Sequence, residues 1–554
     1  MGFLGILEDK HNDRVPGTII LDEEYAHSEN ITAALKHGTG KDAHIILTPQ
    51  PSEDPNDPLN WTTIKKLFVM CTICFGSILY AATFGPLLNA GLFTIATEFE
   101  VPIGSITLIS GYQLLVAGAS GPFFSAASRK WGKKPCFMIS SLFALIGTII
   151  GSTTNNYEGL LAARVIQGAA TSAYESLCIT VVGDLYFVHE RGFFTSVLQF
   201  LLGGISNFSS VIAGPITANL GWKYMFHILI AFISVQTILL FFCPETSYIR
   251  DRKYESNIPI LDEENGKSTV SHHEGENAPS NDVKGVMTPS RTSAPPVVVK
   301  KIFWQGTAIF TGTYSDENLL QLIVAPFAVC TNIVVLWVVV MSGTIFATTV
   351  AQSFILAQVF SIPPYSLSAS GVGYLSMGPF IGGIFSSVLM AFMLDPLIKW
   401  ASKRNGGVYE PEYRLLAMGG SLFTGVGLMV FGYLAERGVS YYATAAVHGV
   451  VVFGLILATI SSTAYALDAY RDMSNEIFIM GMLFKNFLFY AFSYFVNDWT
   501  AREGAGEVFY VFGGVALFLT LTTPVVFIFG KRYRSFWHRN NILEKIGVRT
   551  HSEF

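Results

Sequence analysis

Residues 321–345 read QLIVAPFAVCTNIVVLWVVVMSGTI, an apolar run without a single charged side chain. A helix that crosses the hydrocarbon core of a bilayer needs roughly 20 such residues, because only a helix or a closed barrel satisfies every backbone group where water is absent. One run makes one span; the fold is decided by how often the pattern recurs. Comparable runs lie near 66–91, 104–126, 135–153, 158–182, 192–217, 224–243, 369–394, 413–434, 441–465, 474–496 and 506–530. With 321–345 they predict twelve transmembrane helices and an all-α membrane protein. Composition agrees: 51% of the 554 residues are hydrophobic and 14% are charged, a balance suited to lipid rather than to a water-soluble multidomain chain.

Cations between the runs give the orientation, since Lys and Arg gather in short cytoplasmic loops. Lys65 and Lys66 precede the first run, Arg129, Lys130, Lys133 and Lys134 follow the second, and Lys399, Lys403 and Arg404 follow the eighth. Lys531, Arg532, Arg534 and Arg539 follow the last, whereas the alternate loops hold isolated cations such as Lys223, Arg437 and Arg502. Both termini are therefore expected in the cytoplasm. The stretch 249–303 is rich in Ser, Pro, Asn, Lys and Glu and has no periodicity, so it is expected to be a disordered cytoplasmic linker that divides the spans six and six. The expected organisation is a tail over 1–64, a six-helix bundle over 65–245, a linker and elbow over 246–318, a second bundle over 319–530 and a tail over 531–554. A basic loop after the second span of each half hints at the internal repeat found in transporters. The polar first sixty or so residues hold no apolar core after a basic start, so the first span is expected to direct insertion.

Several classes are excluded. Net charge is −5, with the basic residues scattered between apolar runs, which gives nucleic acid no footing as a partner. The six cysteines, Cys71, Cys74, Cys136, Cys178, Cys243 and Cys330, lie inside apolar runs without metal-ligand spacing and read as small buried hydrophobes. Nothing matches a phosphate-binding loop, a zinc site or a hydrolase triad, so no cofactor, metal or catalytic residue is expected.

The motifs then carry a family resemblance. Gly121-Pro122 followed by Arg129-Lys130-Trp131-Gly132-Lys133-Lys134-Pro135 resembles the loop between spans two and three of the major facilitator superfamily. Arg164-Val165-Ile166-Gln167-Gly168 resembles a second family motif in span four, Gly214-Pro215 resembles the antiporter motif of span five, and Pro244-Glu245-Thr246 matches the end of span six. Asp184 with Glu190-Arg191-Gly192 matches the loop after span four, while Asp54 to Trp61, Pro411-Glu412-Tyr413-Arg414-Leu415 and Lys485-Asn486 look fungal. The chain is thereby identified as similar to the fungal twelve-span drug:proton antiporter subfamily, which includes metabolite exporters and a yeast histidinol and polyamine permease. One departure is that the acidic residue usual three positions before Gly132 is Arg129 here. The resemblance implies two pseudo-symmetric six-helix bundles rocking about a central site, with Gly121, Arg129, Gly132, Lys133, Asp184, Glu190, Arg191, Gly214 and Pro215 in gating and conformational roles.

For substrate or proton binding the first candidate is Glu175, because an ionisable group inside a span costs a few kcal/mol and as a rule faces a water-filled cavity or a partner. Helical spacing puts Arg164, Gly168, Thr171 and Glu175 on one stripe. Lys485 lies mid-span in helix eleven, either as the partner of Glu175 or as a contact for an anion, and Asn486, Tyr490, Ser493 and Asn497 recur on one face suited to a cavity wall. Asn332 and Gln199 stand in spans that line the cavity of the implied fold; a packing role is the competing reading for both. The expected function is proton-coupled efflux of drugs or secondary metabolites, with uptake of organic cations such as polyamines as the alternative and a nutrient-sensing receptor as a third class. A monomer in the plasma membrane, or else in a vacuolar or other internal membrane, exchanging protons for an amphipathic or cationic small molecule, completes the expectation.

Overall fold

The computed structural model describes residues 3–9, 15, 17–20, 51–52, 54–248, 307–315, 317–406, 408–470, 473–540 and 542–546. The expected linker, 249–303, lies outside them. Among the described residues eleven continuous helical stretches are long and apolar enough to cross a membrane. They are α1 (Thr63–Thr83), α2 (Ile103–Trp131), α3 (Lys133–Thr153), α4 (Tyr157–Leu185), α5 (Val188–Gly203 continued by Ile205–Leu220), α6 (Lys223–Phe242), α7 (Ile333–Phe360), α8 (Ala369–Arg404), α9 (Pro411–Glu436), α10 (Tyr441–Ala469) and Ser474–Asn540. The last is interrupted at Gly504, whose φ of 88° is non-helical. Its arms, 474–503 and 505–540, are here α11 and α12.

Two boundaries depart from the expected ones for identifiable reasons. The first span does not run on to residue 91: after Thr83 the chain reaches Gly85 and Pro86, and Pro86–Gly91 is a separate tight turn, because proline lacks the donor that would continue the helix. The 321–345 run is not one helix either. Leu319–Ala328 contains Pro326, Val329–Thr331 is a turn, and Asn332 then starts α7 by accepting from the backbone N–H groups of Val334 and Val335 at 3.0 and 3.2 Å. Hydropathy cannot distinguish a continuous apolar helix from two joined at a polar cap.

α1–α6 pack against one another, as do α7–α12, with glycines setting the closest approaches. A Cβ on Gly168 of α4 would lie 2.2 Å from the Gln113 carbonyl of α2, and on Gly378 and Gly382 of α8 it would lie 2.0 Å from the carbonyls of Ala445 and Gly449 of α10. Small residues serve here because lipid gives helices no hydrophobic drive to associate, and close packing of backbones substitutes for it.

The two groups meet along α2 with α11 and along α5 with α8, each pair antiparallel. The chain's described ends share one face. Lys531 and Arg532 of α12 hold Glu8, Ser535 donates to Asp9 at 2.6 Å, and Ile19–Ile20 pair as an antiparallel strand with Val408–Tyr409. These contacts define the terminal face of the molecule.

Candidate functional site: a central cavity with a buried ion pair

A cavity of about 230 Å³ opens between the two helix groups. Its walls come from α1, the break at 85–91 that follows it, α2, α4 and α5 on one side and α7, α8, α10 and α11 on the other; among the described residues α3, α6, α9 and α12 contribute none to the lining. Lining residues run from Asn89 and Val372 on the far side to Leu467 and Ser474 toward the terminal face. Most of the surface is aliphatic or aromatic, with Phe346, Phe354, Phe478 and Phe489 prominent, interrupted by Asn89, Ser206, Asn207, Ser342, Thr349, Ser353, Thr459 and Thr463. Such a surface suits an amphipathic organic molecule.

Glu175 of α4 and Lys485 of α11 reach into this cavity from opposite groups. The Lys485 ammonium donates to Glu175 Oε1 at 2.8 Å, and the Asn486 amide donates to Oε2 at 2.9 Å. Both charged side chains keep a little exposure, 22% and 12%, on the cavity side. Lys485 Nζ also stands 5.0 Å from the centre of the Phe346 ring, within cation–π range.

Of the other expected binding residues, Arg164 and Thr171 are buried beside the cavity rather than on its wall. The Arg164 guanidinium donates to Gln113 Oε1 at 2.7 Å, Gln167 Oε1 at 3.0 Å and the Gly85 carbonyl at 3.3 Å. Thr171 donates to the Tyr80 carbonyl at 2.9 Å and accepts from Gln113. Together these side chains tie α4 to α2 and to the break after α1. Asn332 lies at the α7 cap, away from the cavity. The backbone of Gln199 is helical within α5; its side chain lies outside what the structure describes.

The polar face of α11 goes elsewhere than expected. Asn486, Tyr490, Ser493 and Asn497 do not line the cavity: the first three face α2, where Gly118 lies against Asn486, Tyr112 meets Tyr490 at 5.2 Å between ring centres and Gly111 lies against Ser493, and the Asn497 amide donates to Gln358 of α7 at 2.7 Å. Gly104, Gly111 and Gly118 recur every seven residues and form a groove for that face. The cavity face of α11 is instead Phe478, Gly481, Met482, Lys485 and Phe489. One residue turns a helix by 100°, so Lys485 and Asn486 serve different surfaces even though both reach Glu175. The glycine repeat on α2 was the sequence signal for this seam.

The residues expected to gate divide by position. Gly132, at φ 96°, separates α2 from α3, and a Cβ there would lie 2.5 Å from Glu245 Oε2. That carboxylate accepts from the backbone N–H groups of Lys133 and Lys134, each at 3.0 Å, and so caps α3, where the helix dipole favours an anion. Lys133 Nζ pairs with Asp184 at 2.8 Å. Beside them, burial first and the Glu245 and Asp184 carboxylates after it push the Tyr314 phenol above its ordinary value, against its bond to Thr311. Arg191 donates to the Gly183 and Tyr186 carbonyls at the end of α4, and Glu190 accepts from Phe187 N–H at the start of α5. Gly121 packs against Met482, and a Cβ on Gly214 would lie 2.6 Å from the Ala369 carbonyl of α8, one residue before Pro215 inside α5. Arg129 crosses between the groups: its guanidinium is 3.0 Å from Glu476 at the start of α11, which is 1% exposed. The acid absent from position 129 is thus met by one supplied from the other helix group.

The family model of the Major Facilitator Superfamily matches residues 70–483. The chain is 24% identical to an MFS-type transporter of Schizosaccharomyces pombe over 98% of its own length and 96% of that protein's, and 22% identical to Protein HOL1 of Saccharomyces cerevisiae over 97% and 98%. Among solved structures, a D-xylose-proton symporter superposes with a TM-score of 0.56 at 13% identity, covering 82% of this chain and 97% of that one. A peptide transporter superposes with a TM-score of 0.52 at 12% identity, covering 83% and 94%.

Proposed function

The chain belongs to the Major Facilitator Superfamily, a multi-pass integral membrane protein and secondary transporter rather than an enzyme, and from that premise we propose that it exchanges protons for a small organic cation or amphipathic solute by alternating access. The observation that carries the reading is the Glu175–Lys485 pair, an acid and a base contributed by opposite helix groups to one largely apolar cavity. Opening the cavity toward either face moves the two groups relative to each other, so a solute or proton that alters this pair alters the balance between the two states.

We read the arms on either side of Gly504 as separate spans and propose twelve, six to each bundle, with both termini cytoplasmic; the non-helical Gly504 supports the count and the cations of the shared terminal face support the orientation. The direction we propose is export of drugs or secondary metabolites from the cytoplasm across the plasma membrane by a monomer, supported by the resemblance of Gly214-Pro215 to the antiporter motif. Uptake of an organic cation such as a polyamine is the second reading, favoured by the Glu175 carboxylate on the cavity wall.

Everted and right-side-out vesicles carrying the protein, loaded with labelled organic cations and given a pH gradient, test both. Gradient-driven cation movement that Glu175→Gln abolishes at equal protein level is expected, and its direction selects between export and uptake. Movement unaffected by Glu175→Gln would overturn the site.

A further inference from the structure

Resting on the reading that the cavity takes an organic cation, we infer that the exchanged proton is carried by Lys485 rather than by Glu175, and that the substrate cation replaces the Lys485 ammonium on the Glu175 carboxylate. Each oxygen of Glu175 already accepts a hydrogen bond, one from Lys485 and one from Asn486. Both partners are donors in this arrangement, which matches the acceptor-only character of an ionised carboxylate. Glu175 is therefore a fixed anion for which two cations compete.

Charge balance identifies the proton. Among the described residues lining the cavity, Glu175 and Lys485 are the only titratable ones, and together they sum to zero. Outside the cavity wall, Arg164 of α4 is buried on neutral acceptors, Glu476 of α11 pairs with Arg129 of α2 at the terminal face, and the Tyr112 and Tyr490 rings meet at a tilt on the seam between α2 and α11. A monovalent cation that entered with both lining residues charged would add one positive charge to the cavity that no lining residue compensates, which is costly. Loss of one proton from Lys485 removes it.

The step balances. The substrate cation binds Glu175, one N–H bond of the Lys485 ammonium breaks, its electron pair stays on Nζ, and the proton passes to cavity water and leaves on the side from which the substrate came. After the substrate departs on the other face, Nζ takes a proton there and rejoins Glu175. Asn486 keeps its bond to the second oxygen throughout and holds the carboxylate in place. Lysine is suited to this because its compact ammonium gives up its charge when desolvated, whereas a guanidinium does not.

The test is binding of choline, 1-methyl-4-phenylpyridinium and spermidine to the full-length protein in nanodiscs between pH 5.5 and 8.5, with proton release followed in weak buffer. The first two probes carry permanent charge, so any proton released comes from the protein. For a permanently charged probe that binds, the wild type is expected to tighten about tenfold per pH unit and to release one proton per cation. Lys485→Gln is expected to bind the same cation with a flat pH profile and no proton release, and Lys485→Arg to bind it at least about tenfold more weakly at every pH. Size-exclusion profiles and melting of the two variants confirm folding; the opposite predictions for Gln and Arg keep a structural defect from imitating the result. A pH dependence or proton release that persists in Lys485→Gln overturns the assignment of the proton. If neither permanently charged cation binds the wild type at any pH, the inference falls, and if spermidine does not bind either, the cation reading falls as well.

Discussion

Gly132 and Arg164 illustrate how single positions combine backbone, charge and space. At Gly132 the positive φ and the Glu245 carboxylate 2.5 Å from where a Cβ would lie make two separate demands for glycine. Gly132→Ala is expected to destabilise the protein by about 1–3 kcal/mol, read as a lowered melting temperature in detergent, and Glu245→Gln is expected to lower it less because the amide oxygen still caps α3. Arg164 is fully buried among neutral acceptors, and the described residues place no acid within 4 Å of it. Its removal leaves Gln113, Gln167 and the Gly85 carbonyl short of a donor, at about 1–3 kcal/mol for each group left unsatisfied. Arg164→Ala is accordingly expected to reduce folded yield, whereas Glu175→Gln is expected to spare folding and abolish coupled transport; comparing expression and flux for the two separates scaffold from site. The sequence marked both residues as costly and therefore significant. It did not show that one faces the cavity and the other lies behind it, because both stand on the same helical stripe and only the neighbours of α4 distinguish them.

The meeting of α2 with α11 shows the same division for whole elements. Gly104, Gly111 and Gly118 form a seven-residue repeat that lets α11 lie against α2 over much of its length, and a Cβ on Gly111 would fall 1.8 Å from Ser493 Oγ. Gly111→Ala is expected to slow transport at least about tenfold by forcing the two helix groups apart, at a packing cost of about 1–3 kcal/mol. Adding Ser493→Gly is expected to restore much of the rate, because the obstructing side chain is gone. Transport assayed across this double-mutant cycle checks the claim, and strictly additive losses would contradict it. Here the sequence supplied a polar face on α11 and a glycine repeat on α2 as separate facts. Periodicity finds faces but does not pair them, so Asn486, Tyr490 and Ser493 were expected on a cavity wall and lie instead in a helix seam.

Across the whole molecule, the terminal face is where the helix groups are tied by charge and by the chain's own ends. Arg129 and Glu476 join the groups across that face, and the amino-terminal segment is fastened to α12 and to the Val408–Glu412 stretch, where Arg534 pairs with Glu410 and Glu412 at 3.0 and 2.8 Å. Arg129→Glu and Glu476→Arg are each expected to favour opening toward the terminal face, and the double exchange to recover part of the wild-type balance. Accessibility of an engineered cysteine at Ser474, on the cavity wall near that face, measures this: faster labelling in each single variant than in the double. Equal labelling in all three would mean that the pair does not hold the face closed. The sequence registered Arg129 as a departure from the usual acid but contained no means of finding Glu476, some 350 positions later, as its complement.

What the sequence determined by itself was the environment and the inventory: repeated apolar runs long enough for a bilayer, cations on alternate loops, family motifs at their characteristic spacings, and an intramembrane acid and base whose cost marked them out. These are local properties, fixed by hydropathy and helical periodicity, and they survive any arrangement of the spans. Tertiary structure alone decided the partnerships, with Glu175 and Lys485 joined across 310 positions, Asn332 turned from a cavity candidate into a helix cap, and the polar face of α11 buried on glycines. The physical reason is that a side chain's role in a membrane helix depends on which of its neighbours it faces, and a helix rotates that choice by 100° with every residue.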